Sequence, residues 1–167
     1  MRIFQRNVVY FLLFVFFLLL DGQLSLFLTA MLPVKWQFHS HLLLLMFLFA
    51  SLDLTELELF IQAFILGVLY DLYYLDTLGV TTLLFPVVIL ALCSVNDILL
   101  YSSWTRMISV FILIFTFEMI MIGIQYLLGI SSQTLDSFIL YSLVPSLIAN
   151  LILFVFLQPM CKKINLL

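Results

Sequence analysis

Tyr10-Phe11-Leu12-Leu13-Phe14-Val15-Phe16-Phe17-Leu18-Leu19-Leu20 is an unbroken apolar run. It shows no alternation of apolar and polar residues, so it does not read as a strand of a membrane β-barrel. Extended outward, the segment covers roughly Asn7 to Thr29, interrupted by Asp21. A helix that crosses a bilayer needs about 20 predominantly apolar residues, and this segment is long enough. A second apolar run covers residues 41–50. The spans are therefore expected to be helices.

The rest of the chain has the same character. Of 167 residues, 66% are hydrophobic and 9% are charged, and mean hydropathy is +1.32. Soluble domains are about 45–50% apolar and about 25% charged, so a soluble globular enzyme is excluded. Disorder is excluded as well, because it requires low hydrophobicity and high net charge. A net charge of -3 with six cations offers no phosphate-binding surface for nucleic acid. Cys93 and Cys161 are too few for a disulfide framework and read as structural.

Six hydrophobic segments emerge: roughly Asn7 to Thr29, Trp36 to Leu52, Leu57 to Leu75, Leu78 to Val95, Trp104 to Leu128 and Ser137 to Pro159. The expected architecture is all-α and polytopic, with six transmembrane helices in one transmembrane domain over residues 1–167. The second and fourth segments are short and would stand upright or thin the bilayer. Pro86 and Pro145 lie inside spans, where neighbouring helices can satisfy the carbonyls they free. Arg2 and Arg6 precede the first segment as in a signal peptide, but the run is long and Leu28-Thr29-Ala30 is a poor cleavage site, so it is taken as a span. The connections, around Pro33 to Ser40, Asn96 to Ser103 and Ile130 to Asp136, are too short for a soluble domain. Internal repeats are not apparent.

With six spans, both ends share one side with Arg2, Arg6, Arg106, Lys162 and Lys163, while Lys35 lies opposite. Lys and Arg favour the cytoplasm, so both termini are expected there, in a cell membrane. Trp36, Trp104, Tyr73, Tyr74 and Tyr101 fall near span ends, where aromatic residues anchor at headgroups.

Asp21, Asp71 and Glu118 interrupt apolar segments, and no Lys or Arg lies deep in any span. A charge at the bilayer centre costs at least about 2.5–3.5 kcal/mol. Each carboxyl group therefore needs hydrogen bonds, a cavity or a partner chain. Polar contact between helices is the simpler reading, and a cation pathway the sharper one. The third segment has the densest pattern. Ala63, Gly67 and Asp71 are spaced four apart and share a helix face. Small residues there allow close approach, and the carboxylate one turn on can hydrogen-bond to the neighbour. Asp76-Thr77 then breaks the apolar run before Leu78-Gly79 opens the fourth segment.

Other polar groups read as structural. His39 and His41, without local Cys or carboxylate companions, are expected to be interfacial rather than metal ligands. Asp53, Glu56 and Glu58 suit the start of the third helix, with Asp53 or Thr55 as cap. Gln125 and Asn150 are explained by hydrogen bonds between helices. Tyr70-Asp71 lacks the Gly-x-Gly-Asp partner that an intramembrane aspartyl protease requires. Catalytic motifs for acyl transfer, phosphate binding or zinc are missing, so no enzyme activity, cofactor or metal is expected.

The stretch Gly67-Val68-Leu69-Tyr70-Asp71-Leu72, continuing to Leu78-Gly79-Val80, resembles the signature of the MreD family of bacterial rod shape-determining membrane proteins. The specific likeness covers roughly Phe64 to Pro86, and length and hydropathy agree over the rest. The resemblance implies a non-enzymatic part of the peripheral cell-wall elongation complex. It implies binding to an MreC-like bitopic partner, within a larger complex that includes a class B penicillin-binding protein and a RodA-type glycosyltransferase. It also implies a fold similar to the substrate-binding component of ECF (energy-coupling-factor) transporters. On the family pattern, Gly67, Asp71, Leu78 and Gly79 are the matching positions. Gly67 would allow close packing, Asp71 would tie helix ends by hydrogen bonds, and Gly79 would permit the tight turn into the fourth span. Asp21 and Glu118 complete the structural or partner-binding set. The alternative is a small-solute, vitamin-type binding or transport subunit, in which Asp21, Asp71 and Glu118 would line one polar pocket.

Overall fold

The structure is a computed structural model, and it describes residues 2–33, 35–75, 79–94, 103–129 and 134–163. All regular elements among these residues are helical. They are α1 (Arg2–Met31), α2 (Leu42–Ala50), α3 (Glu56–Tyr70, extended by a π turn at Asp71–Leu75), α4 (Val80–Ser94) and α5 (Ser103–Leu127). The last, α6, starts at Leu135–Phe138, passes through a π turn at Ile139–Leu143 and continues over Val144–Lys163. Four stretches are long and apolar enough to cross a membrane: Gln5–Met31, Glu56–Tyr74, Trp104–Leu127 and Leu135–Gln158. Val80–Ser94 is apolar but shorter. This is a multi-pass membrane protein.

The second hydrophobic segment departs from the sequence expectation. Only Leu42–Ala50 is helical, whereas the apolar stretch was expected to run helically from Trp36 to Leu52. Nine residues at 1.5 Å each reach only about 14 Å, half of a hydrocarbon core about 30 Å thick. The reason lies in the preceding residues, whose backbone is not helical and takes its hydrogen bonds from other helices, as described below.

α2 is nonetheless the centre of the molecule. All nine of its residues are buried, as a helix that is apolar on every side requires. Phe47 meets Phe14 of α1 with ring centroids 5.0 Å apart and Phe85 of α4 at 5.6 Å. Phe49 stacks on Phe154 of α6 at 5.7 Å. Phe85 in turn stacks on Phe117 of α5 at 5.9 Å. Helices α1, α4 and α6 thus pack their aromatic rings on a short apolar pillar. In lipid there is little hydrophobic drive to bring helices together, so packing and hydrogen bonds must do it.

One end of the bundle is tied by polar groups at the start of α1 and α3. Glu58 accepts from the Arg6 guanidinium at 3.1 Å, from the Asn7 amide at 2.7 Å and from the Thr55 backbone N–H at 3.0 Å. The last contact is half of a capping box that starts α3 at Thr55. Tyr10 donates to Asp53 at 2.8 Å. These groups hold α1 against the turn between α2 and α3.

Candidate functional site

At the far end of α1 and α3 the polar groups are buried. Asp71 sits at the end of α3, in the first position of the π turn, and is fully buried. Its carboxylate accepts five donors from the start of α4. Oδ1 takes the Thr81 N–H at 2.8 Å and the Thr81 hydroxyl at 2.6 Å. Oδ2 takes the N–H groups of Gly79 at 2.8 Å and Thr82 at 3.0 Å, and the Thr82 hydroxyl at 2.7 Å. The first N–H groups of any helix lack partners within it, and in lipid they cannot turn to water. Asp71 supplies those partners from the preceding helix and places a negative charge where the helix dipole favours one.

Gly67 makes this cap reachable. A Cβ at Gly67 would lie 2.6 Å from the Thr82 Cα and 2.8 Å from the Thr81 carbonyl oxygen. Both atoms are backbone, so α3 and α4 touch main chain to main chain. The Thr81 hydroxyl also lies 3.1 Å from the Gly67 carbonyl oxygen. Gly79 has φ +112°, a conformation that glycine adopts without a Cβ clash, and it turns the chain into α4. Leu78 lies outside the described residues.

Asp21 performs the corresponding task for α2. Its Oδ1 accepts from the Ser40 hydroxyl at 2.7 Å and from the Leu42 N–H at 2.6 Å, and its Oδ2 from the Leu43 N–H at 3.0 Å. Here the cap comes from a helix that precedes α2 by about twenty residues. The lead-in to α2 is held in the same manner. Phe38 N–H donates to the Thr29 hydroxyl at 3.0 Å, His39 N–H to the Ser146 hydroxyl at 2.9 Å and Ser40 N–H to the Ser25 hydroxyl at 2.9 Å. His41 N–H donates to Asn150 Oδ1 at 2.8 Å, and the Asn150 amide donates back to the His39 carbonyl at 2.8 Å. Gln37 N–H donates to the Tyr141 carbonyl at 2.8 Å. That carbonyl is open because Pro145, four residues on, has no N–H to offer it. Every backbone N–H from Gln37 to Leu43 is thus satisfied by α1 or α6, which is what non-helical backbone at membrane depth requires.

Glu118 is also buried, on α5, and its Oε1 lies 2.8 Å from Nε2 of His41. His41 is buried and its ring packs on Phe117 at 5.3 Å. The interfacial position expected for both histidines does not hold for His41, which is buried, while His39 is exposed. His41 is drawn inward because it follows a segment that both flanking helices hold. Asp21 and Asp71 are likewise buried inside the protein.

Beside Asp21 lies a cavity of about 440 Å³, lined among others by Asp21, Ser25, Thr29, His39, Tyr70 and Tyr74. Tyr74 closes one wall. Its hydroxyl donates to the Leu18 carbonyl at 2.7 Å and accepts the Gly22 N–H at 3.1 Å. A Cβ at Gly22 would collide with that hydroxyl. The three carboxyl groups do not converge on this cavity. Asp21 lines it, Asp71 faces α4 and Glu118 faces His41. Among the described residues no group of three or more His, Cys, Asp or Glu side chains is placed to hold a metal.

Several of these side chains were not singled out from the sequence: Gly22, Ser25, Thr29, Thr81, Thr82 and Ser146. A signal was present. Asp21, Ser25 and Thr29 recur every four residues in α1, and Ser142, Ser146 and Asn150 do so in α6. Each set forms a polar stripe on one helix face, and the lead-in to α2 lies between the two stripes.

The family profile described as rod shape-determining protein MreD matches residues 5–165. A curated relative, the cell shape-determining protein MreD of Streptococcus pneumoniae (strain ATCC BAA-255 / R6), is 35% identical over 145 residues, covering 87% of this chain and 88% of the relative. No solved structure matches the chain. A profile match over nearly the whole length, with a relative this similar, settles the family: the chain belongs to the MreD family of rod shape-determining proteins, which are structural membrane proteins rather than enzymes, and its role is in cell shape.

Proposed function

We propose that the protein is a membrane scaffold of the peripheral cell-wall elongation complex. It would hold the single membrane helix of an MreC-like partner and help to position a class B penicillin-binding protein and a RodA-type glycosyltransferase. The observation that carries this reading is how the buried carboxyl groups are used. Asp21 and Asp71 each cap the start of a short helix, and Glu118 is paired with His41. Groups engaged in fixing helix ends make a rigid platform. A transport subunit would instead need them gathered around one solute.

The six-span topology belongs to the same reading. The lead-in to α2 adds at most about 3.3–3.6 Å per residue, so residues 36–41 and α2 together have the reach of one crossing. α4, at about 22 Å, would need local thinning of the bilayer. Six crossings put both termini with Arg6 and Arg106 in the cytoplasm and Lys35 outside. The fold would then be comparable to the six-helix substrate-binding components of ECF transporters.

The test is a pull-down of the tagged protein from native membranes in a gentle detergent, read by mass spectrometry. The scaffold reading expects an MreC-like protein with wall synthases, and their loss from Gly67→Leu. Recovery of a coupling ATPase without wall proteins would overturn it, as would full partner recovery by Gly67→Leu.

A further inference from the structure

We propose that the cavity beside Asp21 is a binding site for an uncharged, hydroxyl-rich group, a sugar or similar polyol, presented either as a free solute or as the head of a neutral glycolipid. The volume, about 440 Å³, lies within the range of about 300–1,000 Å³ typical of small-molecule sites.

The lining explains the chemistry. Most polar groups around the cavity are paired, and those left unpaired are suited to a ligand with both donors and acceptors. The Tyr70 hydroxyl lines the cavity and hydrogen-bonds to nothing among the described residues. The Ser25 hydroxyl accepts from Ser40 N–H, while its own proton has no acceptor among the described residues. A carboxylate offers about four acceptor positions, and Asp21 has three of them filled. The exposed His39 imidazole is a fourth polar group at the margin.

The lining also excludes ligand classes. Among the described residues it contains no Lys or Arg, and an anion there would sit beside the Asp21 carboxyl with only the His39 imidazole at the margin to offset it. A phosphate or carboxylate headgroup is therefore a poor occupant. A purely apolar chain would leave the Tyr70 hydroxyl without water or partner, and the Ser25 proton and the remaining acceptor position of Asp21 unused, at a cost. The rings of Tyr70 and Tyr74, 4.7 Å apart and tilted by 44°, add apolar surface to the lining, which suits the C–H groups of a sugar ring. The walls are preformed, since Tyr74 is clamped at both Leu18 and Gly22, so little ordering opposes binding.

The experiment uses the full chain in phosphatidylcholine nanodiscs, prepared without sugar-headed detergent. Native mass spectrometry then follows titration with methyl β-glucoside, with monoglucosyl diacylglycerol and with phosphatidylglycerol. The proposal expects saturable binding of a glucoside. Binding of the glycolipid alone identifies a headgroup from the bilayer, and binding of both identifies the sugar itself as sufficient. Leu26→Trp fills the cavity from an exposed lining position and should weaken binding by at least about tenfold. Tyr70→Phe removes one hydroxyl and should weaken it by about fivefold, the worth of one hydrogen bond. Both variants should melt within a few degrees of the parent chain. Failure of both glucosides to bind saturably overturns the proposal. So does binding that neither substitution alters, or phosphatidylglycerol binding as tightly as the glucosides.

Discussion

The two short helices, α2 and α4, solve the same problem by different routes. Each begins inside the membrane protein, and each has its first N–H groups capped by a carboxylate on another helix. For α4 the cap is local. Asp71 lies eight residues before Gly79 and eleven before Thr82, so α3, the turn and α4 form one self-contained hairpin. For α2 the cap is distant. Asp21 lies 21 residues before Leu42, and Asn150 lies 109 residues after His41. The α4 cap can form as soon as the hairpin does, whereas the α2 segment is secure only when the first and last helices are both in place. The local device is a property of a hairpin, and the distant one is a property of the whole bundle.

The largest effect is expected from removing the local cap. Asp71→Ala orphans five donors, of which the two of Thr81 are fully buried. At about 1–3 kcal/mol per orphaned group, and with partial relaxation, the loss should be on the order of 3–5 kcal/mol. It should appear as failed accumulation in the membrane or a sharply lowered melting temperature. Asp71→Asn keeps one acceptor oxygen and should recover part of that loss.

Gly67→Leu comes next. The Thr81–Thr82 backbone it would strike cannot rotate away, so α3 and α4 must separate. Overpacking costs about 1–3 kcal/mol, and the separation also lengthens the Asp71 bonds. A melting temperature equal to that of the parent would show that the helix contact is softer than described here.

Asp21→Ala removes three bonds and leaves the Ser25, Thr29, Ser146 and Asn150 contacts to the lead-in intact. The effect should be smaller, about 1–3 kcal/mol, because the distant anchorage is shared. A double substitution with Asn150→Ala should then exceed the sum of the two single effects, as coupled groups do. Simple additivity would mean that α1 and α6 hold the segment independently.

The smallest effect is expected at Glu118→Gln. The amide can still bond to His41 across the 2.8 Å contact, so stability should change by less than about 1.5 kcal/mol. Glu118→Ala, which leaves the buried imidazole without that partner, should cost more. Equal melting temperatures for the two would show that the contact contributes nothing.

The same contrast explains what could be read from the sequence. The α4 cap was legible because its parts are close in the chain. Gly67 and Asp71 share a face four residues apart, and Gly79 marks the turn. The helical class and the apolar segments were legible from hydropathy alone. The α2 lead-in was not, because residues 36–41 adopt their backbone only through partners on α1 and α6, and hydropathy carries no record of distant partners. His41 was read as interfacial for the same reason, since Glu118 is 77 residues away. Asn150 reads from the sequence as bonding another part of the bundle, and it does so through backbone groups of the lead-in, besides donating to the Ser146 carbonyl of its own helix. The period-four stripes on α1 and α6 were present in the sequence, yet neither reveals what lies between them until both helices are placed.

Amide hydrogen exchange on the protein in nanodiscs, comparing Asp71→Ala and Asp21→Ala with the parent chain, reads each cap at its own amides. Asp71→Ala should lose protection at Gly79, Thr81 and Thr82, and Asp21→Ala should lose it at Leu42 and Leu43 while the start of α4 stays protected. Unchanged protection at these amides in both variants would contradict the claim that two buried carboxylates hold the short helices in place.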